Sequence, residues 1–320
     1  MADGAVLTAG SFAVVWIGAW LMLTLLLLVV HRLLRPLLLA LHPAGASAVL
    51  LTFCAAPLLM SLSGSLLLYL PVAESALVGP HCHEDCSAHV PLTTSLPLAL
   101  LGLAATAFIL LLLSWRVFVH LRESARLTRQ LRLLSGADAA NGFRELESDQ
   151  PLVFTLGWLR PEVYVSRGLR DQCDGTDLQV ILAHERAHRL RLDNLRMLLG
   201  RLLCLVAPPA FKRRLLDDLE LLSEQACDFS AAQIFGTVPV AETLVRVKRI
   251  VQSAPAASPV LQRFTGAEVE TRVHALLNAG RYISLGPARL SLLLFLILVF
   301  VLLGVEPLHH GTEWILSLAG

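Results

Sequence analysis

Apolar residues in this chain gather into four long runs, and a charged, mixed stretch separates the third from the fourth. Ser11–Val30, Ala46–Leu70 and Leu96–Trp115 contain no charged residue. At 1.5 Å per residue, helices of this length cross a hydrocarbon core of about 30 Å. Pro57 and Gly64 mark places where the second could bend. Leu290–Val305 is shorter and draws on the uncharged flank Ser284–Ala288 to reach spanning length. The first run has neither a basic segment before it nor a small-residue cleavage site after it, so it reads as a retained span rather than a signal peptide.

The intervening stretch changes period. Arg116–Ser135 sets Val117, Leu121, Leu127, Leu131 and Leu134 among Arg122, Arg126, Arg129 and Arg132. This predicts a helix leaving the membrane, its arginine face turned to anionic headgroups or to solvent. Ser135–Gln150, rich in Gly, Ala, Asp and Asn, predicts a loop. Leu152–Thr155 and Glu162–Ser166 predict a hairpin or two edge strands around Gly157-Trp158-Leu159-Arg160-Pro161. Helices are predicted over Asp177–Leu192, with Asp177 as N-cap, and over Leu195–Val206, Leu215–Phe235, Ala241–Gln252 and Glu268–Ala279. The Pro/Ala/Ser stretch Ser253–Pro259 predicts a flexible link.

Composition agrees with a membrane protein: 55% of the 320 residues are hydrophobic, 16% are charged, and the mean hydropathy is +0.66. Soluble domains carry about a quarter charged residues. A net charge of +1 without a basic, aromatic-laced stripe gives no footprint for nucleic acid. Charge distribution predicts the topology. Arg32 and Arg35 follow the first span, and the other 24 of the 26 Lys and Arg lie between Arg116 and Arg289. Because Lys and Arg stay on the inner side, the amino terminus, residues 71–95 and the tail are expected outside, with residues 31–45 and 116–289 in the cytoplasm. The expected architecture is a multi-pass α-helical membrane protein of four spans with a mainly α, zincin-like α+β cytoplasmic domain. Residues 1–115 would form a three-span membrane domain with an outside loop at 71–95, residues 116–289 the cytoplasmic domain, and residues 290–320 the fourth span and a short outside tail.

The chemistry concentrates in His184-Glu185-Arg186-Ala187-His188, an HExxH motif inside a predicted helix. Spacing of i, i+4 puts both imidazoles on one face, where they can share a zinc ion, and sets Glu185 beside them as general base. A catalytic zinc needs a third protein ligand and support behind it. Glu224 can supply the ligand, and Asp228, one turn on, can accept a hydrogen bond from the N–H of a ligating histidine. Cys227 reads as a small packing residue. Asp193 either braces His188 or simply ends the helix.

These residues resemble the BlaR/MecR family of membrane metallopeptidases, through Leu182-Ala183-His184-Glu185-Arg186-Ala187-His188, Asp193 and Glu224-x-Ala226-Cys227-Asp228. Gly157-x-x-x-Pro161-x-Val163-x-Val165-Ser166 resembles the segment before that family's zinc helix. The resemblance covers nearly the whole chain. It implies a gluzincin fold with one catalytic Zn²⁺ held by His184, His188 and Glu224, and Glu185 as base. It further implies a substrate-pairing edge strand at Glu162–Ser166, through Val163 and Val165. The implied function is signal transduction by cleavage of the chain itself or of a BlaI/MecI-type cytoplasmic repressor, in a bacterial inner membrane. Residues 306–320 hold no penicillin-binding domain and the sequence has no S-x-x-K motif, so β-lactam sensing is not expected. Leu192 replaces a basic residue frequent in the family. Two other readings are a quality-control protease like the HtpX or CAAX-processing membrane peptidases, and a non-proteolytic metal or redox sensor.

An outside input is expected in the loop, where His81, Cys82, His83, Cys86 and His89 cluster, with His309 and His310 added from the tail. Two cysteines so close outside a cell form a disulfide or, with imidazoles, bind copper or zinc. Both readings stay open at this point.

Overall fold

A computed structural model describes residues 2–70, 91–93, 95–138, 142–253, 266–284 and 286–319. In chain order its elements are α1 (Ala2–Leu39), α2 (Pro43–Leu68), α3 (Leu96–Leu133), β1 (Ser135–Asp138), β2 (Phe143–Leu146), β3 (Val153–Leu156), β4 (Glu162–Ser166), α4 (Arg167–Arg170), α5 (Gly175–Arg191), α6 (Asp193–Leu203), α7 (Pro209–Phe235), α8 (Thr237–Ser253), α9 (Gly266–Leu277) and α10 (Pro287–Ala319). Four of these helices, α1, α2, α3 and α10, are long and apolar enough to cross a membrane, which marks a membrane protein. The outside-loop cluster of His81, Cys82, His83, Cys86 and His89 lies beyond the described residues, as does nearly all of Ser253–Pro259.

Helices α1 and α3 each have 38 residues. That is about 57 Å of helix against a core of about 30 Å. Their arginine-bearing ends therefore continue past the apolar runs, and the rest of the chain packs there. The expected borders at 115/116 and 289/290 fall inside the continuous helices α3 and α10. Along the apolar length α1 and α3 approach closely: a Cβ at Gly10 would collide with Ala99, and one at Gly102 would lie 2.7 Å from Val14 Cγ2. Small residues allow such contact where no water drives helices together. Beyond Val305, where a short tail was expected, α10 continues as helix and buries His309 beside Glu313.

The sheet has the order β1-β2-β4-β3, with β2 and β4 parallel and the other pairs antiparallel. Two expectations need correcting. Ser135–Gln150 is not all loop, since it supplies β1 and β2; Phe143 and Leu146 anchor β2 by burial amid otherwise polar residues. For the same reason Glu162–Ser166 is not an edge strand. Strand β2 pairs with one side of β4 and β3 with the other, and Val163 and Val165 point into a core with Ile181, Val247 and Val251. Among the described strands beside the HExxH helix, β3 is the one with an edge not paired to another strand. Gly157 turns the chain between β3 and β4 at φ +115°, where a Cβ would press on the Arg160 carbonyl oxygen at 3.1 Å, so the turn requires glycine.

Helix α5 starts one turn before its expected cap. The Asp174 carboxylate accepts from the Asp177 backbone N–H at 2.7 Å. Asp177 is instead buried in the first turn, against Thr243 and Arg246 of α8. The spans and the catalytic half are not separate bodies. Leu50 and Cys54 of α2 share one core with Leu215, Leu219 and Leu222 of α7 and with Cys204 after α6. The α2 entry is tied further by a backbone bridge from Leu41 to Ile283 and by His42 stacked edge-on against Phe229.

Candidate metal centre and its cleft

On α5, His184 and His188 stand one turn apart with ring centroids 4.8 Å apart and Nε2 atoms 3.1 Å apart. Helix α7 packs against α5 and brings Glu224 to the same point. Its Oε2 is 3.4 Å from His184 Nε2 and its Oε1 is 3.3 Å from His188 Nε2. The three donor atoms lie within 4.8 Å of one another. Behind them, His188 Nδ1 hydrogen-bonds to Asp193 Oδ2 at 2.9 Å, and His184 Nδ1 lies 2.9 Å from Asp228 Oδ1, an ion-pair distance without hydrogen-bond alignment. A proton held at each Nδ1 leaves both Nε2 lone pairs free to converge with the Glu224 carboxylate. Two neutral imidazoles and one carboxylate, with room for a fourth partner, form the donor set of a catalytic zinc, so these residues fit that ion.

Asp193 reaches His188 through a backbone feature. Leu192 ends α5 and opens α6 in the left-handed region, at φ 55° and ψ 43°, and is the one non-glycine residue with positive φ among those described. A bulky residue there costs of order 1 kcal/mol, which packing on both sides must offset. The turn brings the Asp193 carboxylate back toward the preceding helix. It accepts from Arg191 and Arg196 and from the Cys227 thiol at 3.4 Å. Both arginines also donate to Ser47 Oγ, at 3.0 and 3.1 Å, in the first turn of α2. A helix long and apolar enough to span a membrane therefore holds the group that holds a candidate ligand. Cys227 does more than pack; burial pushes its thiol up to about 11, so it stays a neutral donor.

The second brace carries a buried charge. Arg272 of α9, only 3% exposed, makes a two-pronged bond to Asp228 at 2.7 Å on each arm and lies 2.9 Å from Glu224 Oε2. Burial alone would raise the Glu224 and Asp228 carboxyls. The Arg272 guanidinium and the neighbouring imidazoles outweigh it and hold both below the usual range, Glu224 well below. Burial of the histidines favours their neutral forms, and the carboxylates around them prevail in raising both.

Glu185 stays outside the ligand triangle. It is buried, and its Oε2 accepts from Thr155 Oγ1 of β3 at 2.7 Å. A cleft of about 330 Å³ passes Thr155, walled by His120 and Glu123 of α3, by Trp158, and by Asn194 and Arg201 of α6, and reaches His188 and Glu224. Thus His184, Glu185, His188, Glu224, Asp193 and Asp228 converge as the sequence pattern proposes, while Val163 and Val165 face the core. The pattern missed Thr155, Ser47 and Arg272. Arg272 did carry a signal: it shares a helical face with Val269 and Leu276, where an arginine is out of place unless paired. A hydrogen bond to a charged group contributes about 1.5–3 kcal/mol, so Thr155→Val should lower kcat by roughly 10- to 100-fold. KM and zinc content should be unchanged, as steady-state kinetics and metal analysis will read.

Residues 126–243 match the model of peptidase family M48. The matched segment contains the three candidate ligands, Glu185, Thr155 and the two bracing aspartates; Arg272 and the fourth span lie beyond it. No curated protein and no solved structure matches the chain. The match indicates a metallopeptidase hydrolase.

Proposed function

We propose that the chain is a membrane-bound zinc endopeptidase that cuts a polypeptide laid along β3. The carrying observation is that Glu185, held by Thr155 on an open-edged strand, stands beside the triangle of His184, His188 and Glu224. Zinc bound there supplies a Lewis acid for the peptide carbonyl and makes water a nucleophile at neutral pH. Glu185 takes the proton of the attacking water and returns it to the leaving amine. Asp228 and Asp193 keep each imidazole in the ligating tautomer. The outer edge of β3, where the Asn194 side chain donates to the Thr155 and Gly157 carbonyl oxygens, offers its remaining backbone groups to an extended substrate lying between that edge and the wall made by α3. The arginine distribution supports a cytoplasmic position for this site, in a bacterial inner membrane.

A signalling role is supported by the links from spans to site: Ser47 to the Asp193 network, and Arg35 of α1 to Asp218 of α7 at 2.7 and 2.8 Å. A change in span packing would reach Asp193 and α7 directly. The substrate would then be the chain itself or a BlaI/MecI-type repressor. The M48 match is compatible with a second reading, an HtpX-like quality-control enzyme of membrane proteins. Sequencing new protein amino termini in cells carrying wild type or Glu185→Gln separates the two. One or two lost cleavages mean a regulatory peptidase, and loss across many membrane proteins means quality control. No lost cleavage would sink the peptidase reading.

A further inference from the structure

A separate cavity of about 630 Å³ opens where α1 meets the first three turns of α7, away from the metal centre. Leu28, His31, Arg32 and Arg35 line it from α1; Phe211, Arg214, Asp217 and Asp218 line it from α7. Its two sides differ in character. Leu25, Leu26 and Val29, just before it on α1, are exposed and apolar, as lipid-facing positions are. Arg32 follows directly, at the depth where a helix leaves hydrocarbon for headgroups.

Charge bookkeeping identifies the ligand class. Arg35 and Asp218 neutralise each other through two hydrogen bonds. Arg32 and Arg214 make no hydrogen bond or ion pair among the described residues, and neither does Asp217. The lining thus keeps two unpaired arginines against one carboxylate. At the base, His31 is 4% exposed and its Nε2 forms no hydrogen bond, the nearest carboxylate oxygen being Asp218 Oδ2 at 3.6 Å. One net positive charge, a buried imidazole nitrogen that forms no hydrogen bond and an apolar rim suit a monoanionic phosphodiester.

We infer that this cavity binds the phosphate of a membrane phospholipid, with Arg32 and Arg214 as its clamp and His31 beneath. The bound headgroup pins the N-terminal part of α7, the helix that carries Glu224 and Asp228, to the first span. The inference is independent of the peptidase reading.

Native mass spectrometry of the full chain in detergent, titrated with phosphatidylglycerol, tests it. Losing two charge-assisted contacts should weaken retention about tenfold or more in Arg32→Gln/Arg214→Gln. Arg213→Gln, at an exposed position of α7 outside the lining, should retain lipid like wild type. Diacylglycerol, which lacks phosphate, should not be retained. Excess inorganic phosphate should leave the lipid in place, and displacement would reassign the site to a free anion. Equal retention by the double variant and wild type, equal loss in Arg213→Gln, or retained diacylglycerol overturns the proposal. Thermal melting of each variant without added lipid confirms that a loss of binding is not a loss of fold.

Discussion

Glu185→Gln is expected to lower cleavage by about 10²–10⁴-fold, the range for removing a general acid–base group, while zinc content stays that of wild type. The amide is isosteric, and its oxygen can still accept from Thr155 Oγ1. What disappears is the capacity to take a proton from water and pass it to the leaving amine. The proposed substrate contacts along β3 and the α3 wall would be untouched, so KM should hold while kcat falls. Glu224→Gln is the contrasting variant: it weakens one of three ligands and should lose metal along with activity. Purified protein, metal analysis and a peptide assay distinguish the two. Retained cleavage in Glu185→Gln would remove Glu185 as the base, and lost zinc would make Glu185 part of the metal site itself.

The parts of this molecule set by local pattern were legible before the structure, and those set by distant partners were not. Spans announce themselves by uninterrupted apolar length, and an i, i+4 histidine pair is a local geometric fact about one helix. Glu224 and Asp228 were readable because they repeat that spacing on a second helix, and the Gly157 turn because its conformation needs glycine. The position of β4 was not readable. It depends on β2, whose four residues, Phe143-Arg144-Glu145-Leu146, look like loop until a parallel partner pairs with them. The helix cap was misplaced by three residues because two aspartates competed for it, and tertiary contacts with Arg246 and Thr243 claimed Asp177. Thr155 and Ser47 act through single hydroxyls across 30 and more than 140 residues of sequence, a separation no local period encodes. Arg272 was the missed residue with a trace, a cation at a core position.

That cation gives the other large effect. Removing one partner of a buried ion pair typically costs about 3–5 kcal/mol, because the remaining charge is left buried without compensation. Arg272→Met fits that case, since Asp228 is 1% exposed and receives both guanidinium arms. The variant should melt well below wild type, and the difference should depend on pH. In wild type Arg272 outweighs burial and holds the Asp228 pKa low, so the contribution of Asp228 is present above the unfolded carboxyl value of about 3.9 and is lost only in stronger acid. Without Arg272, His184 alone opposes burial, and the Asp228 pKa is expected to rise above that value. The buried carboxylate then opposes folding increasingly as pH rises from about 4 toward neutrality. The defect should accordingly be smaller at acid pH than at neutral pH. Adding Asp228→Asn to Arg272→Met should restore much of the stability by removing the stranded charge. It should not restore zinc affinity, since a partner behind a ligating histidine contributes about 10- to 100-fold, and the amide no longer offers His184 Nδ1 a charged acceptor. Melting curves and zinc titrations on the three variants separate the two roles. If Arg272→Met melts with wild type and binds zinc as tightly, the buried arginine supports neither the fold nor the site.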